Sequence, residues 1–422
     1  MFQKIRSSFQ SELVKNGITL LSASTISQLI ALIVYPIITR QYSPEDLGVL
    51  AVFLPIVGIG TILASGKYEM AIMVEKRKEN AAAAFDISFF LTLFLVKITS
   101  VLVLIFKPWL IETFKLESIS LFMNFIPLLI FLSSLGFILT YWFNRNKRFA
   151  LTARYNIVQS SVNSGLKVGL GSLGFTQWGL IAASIIGQLV GVLSVFFKKE
   201  DFEKLFKFEK LRMIKVAKKQ ANFPKYTLPH AFVNTLASSV PIMILAVYID
   251  IAEVGLFALG ITIGFKPISI LTGSMNQVLF QKSTQNKAEG ISSFPLLLNF
   301  CRKTLLIATP VFIIAYLFLP PTVEWLFGHA WLKAGEYIQL MLPWFLAALM
   351  ASSLSYMPAV AGKQFTAMII EIVYATCKIS VLFIGVLQND IRLAILLFSI
   401  VNALFVSGLL VWFLYLAKHD KT

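Results

Sequence analysis

Acidic side chains are scarce in this 422-residue chain: 21 Asp and Glu stand against 37 Lys and Arg, and charged residues of both signs make up only 14% of it. A water-soluble domain carries about a quarter charged residues, so a soluble enzyme or binding module of this length is excluded. Cysteine occurs twice, at Cys301 and Cys377, both inside apolar runs, which leaves neither a disulfide framework nor a thiolate metal site. His230, His329 and His419 are scattered, no metal-ligand motif contains them, and no metal or cofactor is expected. What the chain has instead is 57% hydrophobic residues and a mean hydropathy of +0.78.

A helix crossing the ~30 Å hydrocarbon core needs roughly 20 apolar residues. Twelve stretches qualify: 16–39, 45–66, 81–106, 118–142, 149–172, 176–197, 227–249, 252–281, 294–319, 336–360, 364–387 and 392–416. The first is too long for a signal-peptide core and no small-residue cleavage pattern follows it, so it is kept as a span. Threading the spans with both termini in the cytoplasm gathers most Lys and Arg on one side, including Lys76 to Lys78, Arg145 to Arg148 and Lys198 to Lys225. That is the positive-inside pattern, so the formal charge of +16 is a topology signal and no nucleic-acid partner is implied. Residues 198–225 read as a solvated basic linker whose Phe202, Phe206 and Met213 rest on anionic headgroups. The linker separates an amino-terminal half, 1–197, from a carboxy-terminal half, 226–422. Membrane lipids are thus expected partners.

The halves are weakly self-similar. DLGVLAV, Asp46 to Val52, opens the second span, and EVGLFAL, Glu253 to Leu259, opens the eighth. Six spans per half give both copies the same orientation, as parallel repeats. The expected fold is an all-α membrane protein, twelve transmembrane helices in two parallel six-helix lobes around a central cavity. The acid in each copy suits the positive end of a helix dipole, and capping is the favoured role.

Within "GITIGFKPISIL" at 260–271, Lys266 lies about 20 Å below the outer end of its helix, too deep for its stem to reach the interface. Such a charge costs at least ~2.5 kcal/mol to insert and usually faces a protein interior or a watery cavity. Pro267 frees a backbone carbonyl beside it, a feature tolerated next to a cavity. Lys97, Lys167 and Lys378 are similarly placed. Asp86 and Glu371 share helix faces with Lys97 and Lys378, so internal ion pairs are the alternative there. Lys266 and Lys167 have no such acid on their own helix faces. Asn156, Gln159, Asn163 and Lys167 form a polar stripe at helical spacing, as do His230, Asn234 and Ser238; the alternative is polar contact between helices. A basic interior implies an anionic cargo bearing phosphate or carboxylate. The longest outer loop, about 320–335, carries Glu324 and His329, with Trp325 and Trp331 as interfacial anchors.

The segments LVKNGITLLSASTISQLIALIVYPIITRQYSPEDLGVLAVF at 13–53 and ASGKYEMAIMVEKRKENA at 64–81 resemble the opening of oligosaccharide repeat-unit flippases. These form the Wzx-like branch of the multidrug/oligosaccharidyl-lipid/polysaccharide exporter (MOP) superfamily. Arg40, the YSPEDLG turn from Tyr42 to Gly48, and Tyr68, Glu69, Ala71 and Ile72 carry the likeness. It implies a V-shaped pair of lobes alternating between inward-open and outward-open states in the bacterial inner membrane. The cargo would be an undecaprenyl-diphosphate-linked oligosaccharide for a surface polysaccharide such as O-antigen. The resemblance adds Arg40 to the cavity cations and Glu69 to the carboxylates, Glu371 and Asp86, that could couple an ion. It leaves open whether a polysaccharide polymerase and a chain-length regulator are partners, and it implies no catalytic residue. A multidrug exporter of the same superfamily and a membrane-embedded polymerase are the rival readings.

Overall fold

A computed structural model describes residues 25–114, 117–196 and 208–419, and among them there is helix and turn but no strand. The first apolar stretch enters this range as α1, residues 25–41; its start, and Phe202 and Phe206 of the linker, lie outside the described residues. The helices that follow are α2 (Pro44–Ala64), α3 (Glu69–Val74), α4 (Lys78–Phe114), α5 (Ile126–Arg145), α6 (Phe149–Ser172), α7 (Gln177–Phe196) and α8 (Lys210–Lys219). Then come α9 (Leu228–Tyr248), α10 (Ile251–Ala288), α11 (Phe294–Phe327), α12 (Leu332–Ala351), α13 (Met357–Val360), α14 (Gln364–Leu387) and α15 (Ile391–His419).

Ten helical segments among the described residues are long and apolar enough to cross a membrane. The remaining two spans are α1, described only in part, and α6, whose Asn156, Gln159, Asn163 and Lys167 dilute its hydropathy. The chain is therefore a multi-pass membrane protein with twelve transmembrane helices in two six-helix lobes. The outer faces of α4 and α11 carry Leu104 at 74% and Leu306 at 75% exposure, surfaces that only lipid can solvate favourably.

Contacts divide the chain into two compact units, Met1–Ser239 and Val240–Thr422, the dividing point falling inside α9. In the first unit Ala81, Ala82, Ala83 and Ala84 are all buried, so small side chains let α4 approach α5, and Phe85 meets Trp142 edge-on at 5.8 Å. In the second, α12 lies against α10, α11 and α15 and buries Tyr337, Ile338, Met341 and Phe345. Lipid tails are as apolar as leucine, so close packing at small residues holds these helices together. At Gly385 the approach is to backbone: a Cβ there would sit 2.3 Å from the Ala394 Cα across the α14–α15 turn.

The two repeat copies start their helices differently. Ser43 and Asp46 form a reciprocal capping box on α2, Ser43 N donating to Asp46 Oδ2 at 3.0 Å and Asp46 N to Ser43 Oγ at 3.3 Å, with Pro44 opening the helix. In the second copy Asp250 is the cap, accepting from Ala252 N at 2.8 Å. Glu253 instead accepts from Lys333 Nζ at 2.9 Å and from the Tyr337 hydroxyl, bridging α10 to α12; capping is not its role.

Two expectations about connections are corrected. The stretch 320–335 is no loop: α11 runs through Pro320 and Pro321 to Phe327, a 3-10 turn covers His329–Trp331, and α12 begins at once. Pro320 seats on Gly335, whose Cβ would fall 2.7 Å from the Pro320 Cα, and Trp331 is 1% exposed, a core residue and no interfacial anchor. The basic linker is likewise not merely solvated: α8 folds onto the first unit with Val216 buried and Met213 turned inward.

Candidate functional site

In the first unit the polar stripe of α6 runs along its seam with α7. Gly187 and Gly191 of α7 form a small-xxx-small pair against it. A Cβ at Gly187 would lie 3.0 Å from the Asn163 Cα, and one at Gly191 would lie 2.7 Å from the Gln159 Cβ. The stems of Gln159 and Asn163 are thus pinned between helices, and Asn163 Oδ1 is buried with no hydrogen-bond partner. Asn156 is half-buried one turn earlier.

Lys167 continues the stripe and is half-buried; among the described residues no carboxylate lies within ion-pair distance of its amine. Its backbone carbonyl accepts from the Tyr42 hydroxyl at 2.8 Å, which ties the YSPEDLG turn to α6. Gly179 makes room for that hydroxyl, since a Cβ there would approach it to 2.6 Å. This seat was not foreseen; the small residues around Tyr42 come from α6 and α7, more than 120 residues away in sequence, as the separation of 125 between Tyr42 and Lys167 shows.

The other candidates of this unit are dispersed. Arg40 is exposed at the end of α1 and takes part in an interaction. Lys97 is exposed midway along α4 with no ion pair among the described residues, while Asp86 is buried, engaged, and not paired with it. Glu69 is buried under the Ser65 hydroxyl and the Lys67 amine, the latter at 3.6 Å, an arrangement that holds the turn between α2 and α3. His230, Asn234 and Ser238 are all exposed, one above another, on a single face of α9. Three polar groups in line on a spanning helix suit water far better than hydrocarbon.

In the second unit Lys266 is exposed and unpaired among the described residues. Its helix is oriented by the opposite face: Gly264 admits Phe345, whose Cε2 would lie 2.4 Å from an added Cβ, and Phe265 stacks on Trp344 at 5.4 Å. That seam turns Lys266 away from α12. Below it Gly273, Gln277, Gln281 and Thr284 are exposed on the same face, a polar track from mid-span to the end of α10. The track was legible in the spacing of seven, four, four and three residues, but Gly and Gln do not stand out beside a lysine.

Lys378 of α14 is half-buried and stands over the Tyr374 ring at 5.0 Å, a cation–π contact. Tyr374 in turn donates to Asn402 Oδ1 and stacks on Phe405 at 5.3 Å. Glu371 is exposed two turns away and contributes field without an ion pair, so an internal Glu371–Lys378 bridge is not formed. Within each unit the candidates form no single cluster among the described residues. They comprise three cations without an ion pair, Lys97, Lys167 and Lys266, one cation on an aromatic ring, and two polar helix faces. Among the described residues no group of three His, Cys, Asp or Glu could hold a metal ion.

A family model described as polysaccharide biosynthesis protein matches residues 37–336, well over half of the chain. The succinoglycan biosynthesis transport protein ExoT of Rhizobium meliloti (strain 1021) is 20% identical over 306 residues, covering 72% of this chain and 60% of that protein; the chain thus matches less than two thirds of that relative's length. Among solved structures the fold is similar to the lipid II flippase MurJ in an inward closed conformation, with TM-score 0.74 and 14% identity over 96% of this chain and 90% of that one. It is also similar to an inward-facing multidrug resistance MATE family transporter of the MOP superfamily, with TM-score 0.61 and 15% identity over 96% and 98% of the two chains. The chain belongs to the polysaccharide biosynthesis protein family and has the twelve-helix, two-lobe fold of the MOP superfamily.

Proposed function

We propose that this protein flips undecaprenyl-diphosphate-linked oligosaccharide units from the cytoplasmic to the outer leaflet of the bacterial inner membrane, by alternating access, for assembly of a surface polysaccharide. The observation that carries the reading is the pair Lys167 and Lys266: two cations within spans, one in each unit, Lys266 at mid-span and Lys167 within two turns of the end of α6, neither paired with a carboxylate among the described residues. Unpaired ammonium groups inside a span are costly unless an anion or water meets them. A diphosphate does so in every transport cycle, while the exposed amides and hydroxyls of α10 and α9 offer donors to sugar hydroxyls. Lys97, Lys378 and Arg40 extend the positive field, and the termini lie in the cytoplasm as the basic connections indicate. The ExoT likeness supports a polysaccharide precursor, and the MurJ likeness supports a lipid-linked one.

No bond is broken in this step, and the polyprenyl tail remains in lipid. Moving two negative charges outward against an inside-negative potential is favoured by about 2.3 kcal/mol per charge per 100 mV. Glu371, exposed and not ion-paired, is the carboxylate best placed to return an ion; Asp86 and Glu69 are engaged elsewhere. Polymerase and chain-length proteins would act on the delivered unit.

The test is glycan display in cells lacking the chromosomal copy. Lys266→Ala is expected to abolish it with normal protein abundance, and Lys266→Arg to retain part, since charge is kept while shape changes. Full display with Lys266→Glu would overturn the anionic-cargo reading and favour the multidrug alternative that the MATE likeness raises.

A further inference from the structure

One end of the first unit gathers three basic connections around a buried acid. Glu75, between α3 and α4, has a side chain 0% exposed, yet it is fully partnered. Lys219 Nζ lies 2.8 Å from Oε1 and 2.9 Å from Oε2, Gln220 Nε2 donates to Oε1 at 2.5 Å, and Asn80 Nδ2 donates to Oε2 at 3.0 Å. Arg145, ending α5, donates to the Ile72 carbonyl at 2.7 Å and to the Lys76 carbonyl at 3.4 Å, closing the same corner. Tyr68 donates to the Ala217 carbonyl at 3.1 Å. Lys219 and Gln220 end α8, so these bonds fasten that helix to the unit, with Val216 buried and Met213 and Ala217 packed beneath it.

The opposite face of α8 is unpartnered. Leu211 is 86% exposed, Ile214 is exposed beside it, and Lys210, Lys215 and Lys218 are exposed without an ion pair among the described residues. The helix sequence KLRMIKVAKK contains no acid, and its only other cations, Arg212 and Lys219, are spent on Glu209 and Glu75. A bare leucine and isoleucine flanked by ammonium groups would be poorly solvated by water alone, and a protein surface would need acids of its own to meet the lysines. An anionic bilayer surface supplies both an apolar boundary and negative charge, and it lies where helices α3, α4 and α5 end.

We propose that the outer face of α8, built from Leu211, Ile214, Lys215 and Lys218, is a docking surface for anionic lipid headgroups, and that Glu75 is the clasp that presents it. The proposal stands apart from the transport reading. Docking would register the headgroup charge of the surrounding leaflet on the first unit, because the helix that reads it is bolted to the junction of α3 and α4.

The experiment uses the full chain in detergent, with Cys301→Ser and Cys377→Ser, and a polarity-sensitive dye on Leu211→Cys. It is titrated with dioctanoyl-phosphatidylglycerol against dioctanoyl-phosphatidylcholine. The dye is expected to shift to the blue with the anionic lipid and far less with the zwitterionic one. Each basic side chain at a charged surface contributes about fivefold, so Lys215→Gln with Lys218→Gln should weaken the response roughly 25-fold. Equal response to the two lipids, no response to either, or no loss in the double variant would overturn the docking surface. Glu75→Gln should raise dye mobility before lipid is added; if that variant does not accumulate, Lys219→Met tests the same bond with Gln220 and Asn80 left in place. Unchanged mobility would overturn the clasp.

Discussion

The seam between α6 and α7 separates packing from binding among the polar residues of the first unit. Gly187→Ala places a Cβ 2.8 Å from the Asn163 Cβ, 3.0 Å from its Cα and 3.1 Å from its N. Two of these three atoms are backbone, so no side-chain rotation relieves the contact, and the helices must separate by several tenths of an ångström. Overpacking of this kind costs about 1–3 kcal/mol. For a unit of this size that is a fall of roughly 2–12 °C in melting temperature. Asn163→Ala keeps the Cβ and removes an amide whose oxygen has no partner, so it should be neutral or slightly stabilising, within about 1 kcal/mol. Both variants can be followed in detergent by the loss of helical circular dichroism on heating. A melting temperature in Gly187→Ala equal to wild type would refute the close seam. Loss of glycan display in a fully stable Asn163→Ala would move Asn163 from packing to cargo contact.

Gly385→Ala should be more damaging still, with display and yield both falling, because its Cβ would meet backbone atoms of Ala394 at 2.3 and 2.5 Å; normal yield on purification would contradict the α14–α15 packing. Tyr374→Phe removes the donor to buried Asn402 while keeping the ring under Lys378, so a loss of about 1–3 kcal/mol in stability is expected, read from thermal melts. Burial alone would raise the Glu75 carboxyl, but hydrogen bonds from Lys219, Gln220 and Asn80 and the charge of Lys219 together hold it below the usual range. A depressed folded value means the clasp is fully stabilising above the ordinary carboxylate range and is lost only as pH falls through the depressed one. The α8 dye should therefore stay immobile through the ordinary carboxylate range and loosen only in stronger acid; loosening near neutrality would contradict the clasp.

Spans were the legible part of the sequence, since each is a mostly apolar stretch long enough to cross the hydrocarbon core. Those at 149–172 and 364–387 coincide with α6 and α14. The stretch 320–335, which lies between two apolar runs and reads as a loop, misled: α11 keeps its course through Pro320 and Pro321, where Gly335 packs against it. The expected span 336–360 breaks after Ala351 into a 3-10 turn and short α13, where Asn276 donates to the Ser352 carbonyl at 3.1 Å. That partner is invisible to local reading. Lysines deep in spans announced themselves by cost, whereas Glu75 did not: it sits beside Lys76, Arg77 and Lys78 in sequence, and its true partner, Lys219, is 144 residues on. Gln159 and Asn163 carried the correct periodicity for a polar face, but periodicity does not say whether a face meets water or a glycine-lined neighbour.

Affinity for a lipid diphosphate, measured on the purified chain by native mass spectrometry, bears most directly on the role of the deep cations. Undecaprenyl diphosphate should bind in preference to the uncharged polyprenol, and Lys167→Gln and Lys266→Gln should each weaken it by about 10- to 100-fold, the worth of a hydrogen bond to a charged group. Equal binding of the diphosphate and the polyprenol, or undiminished binding in both variants, would contradict the account.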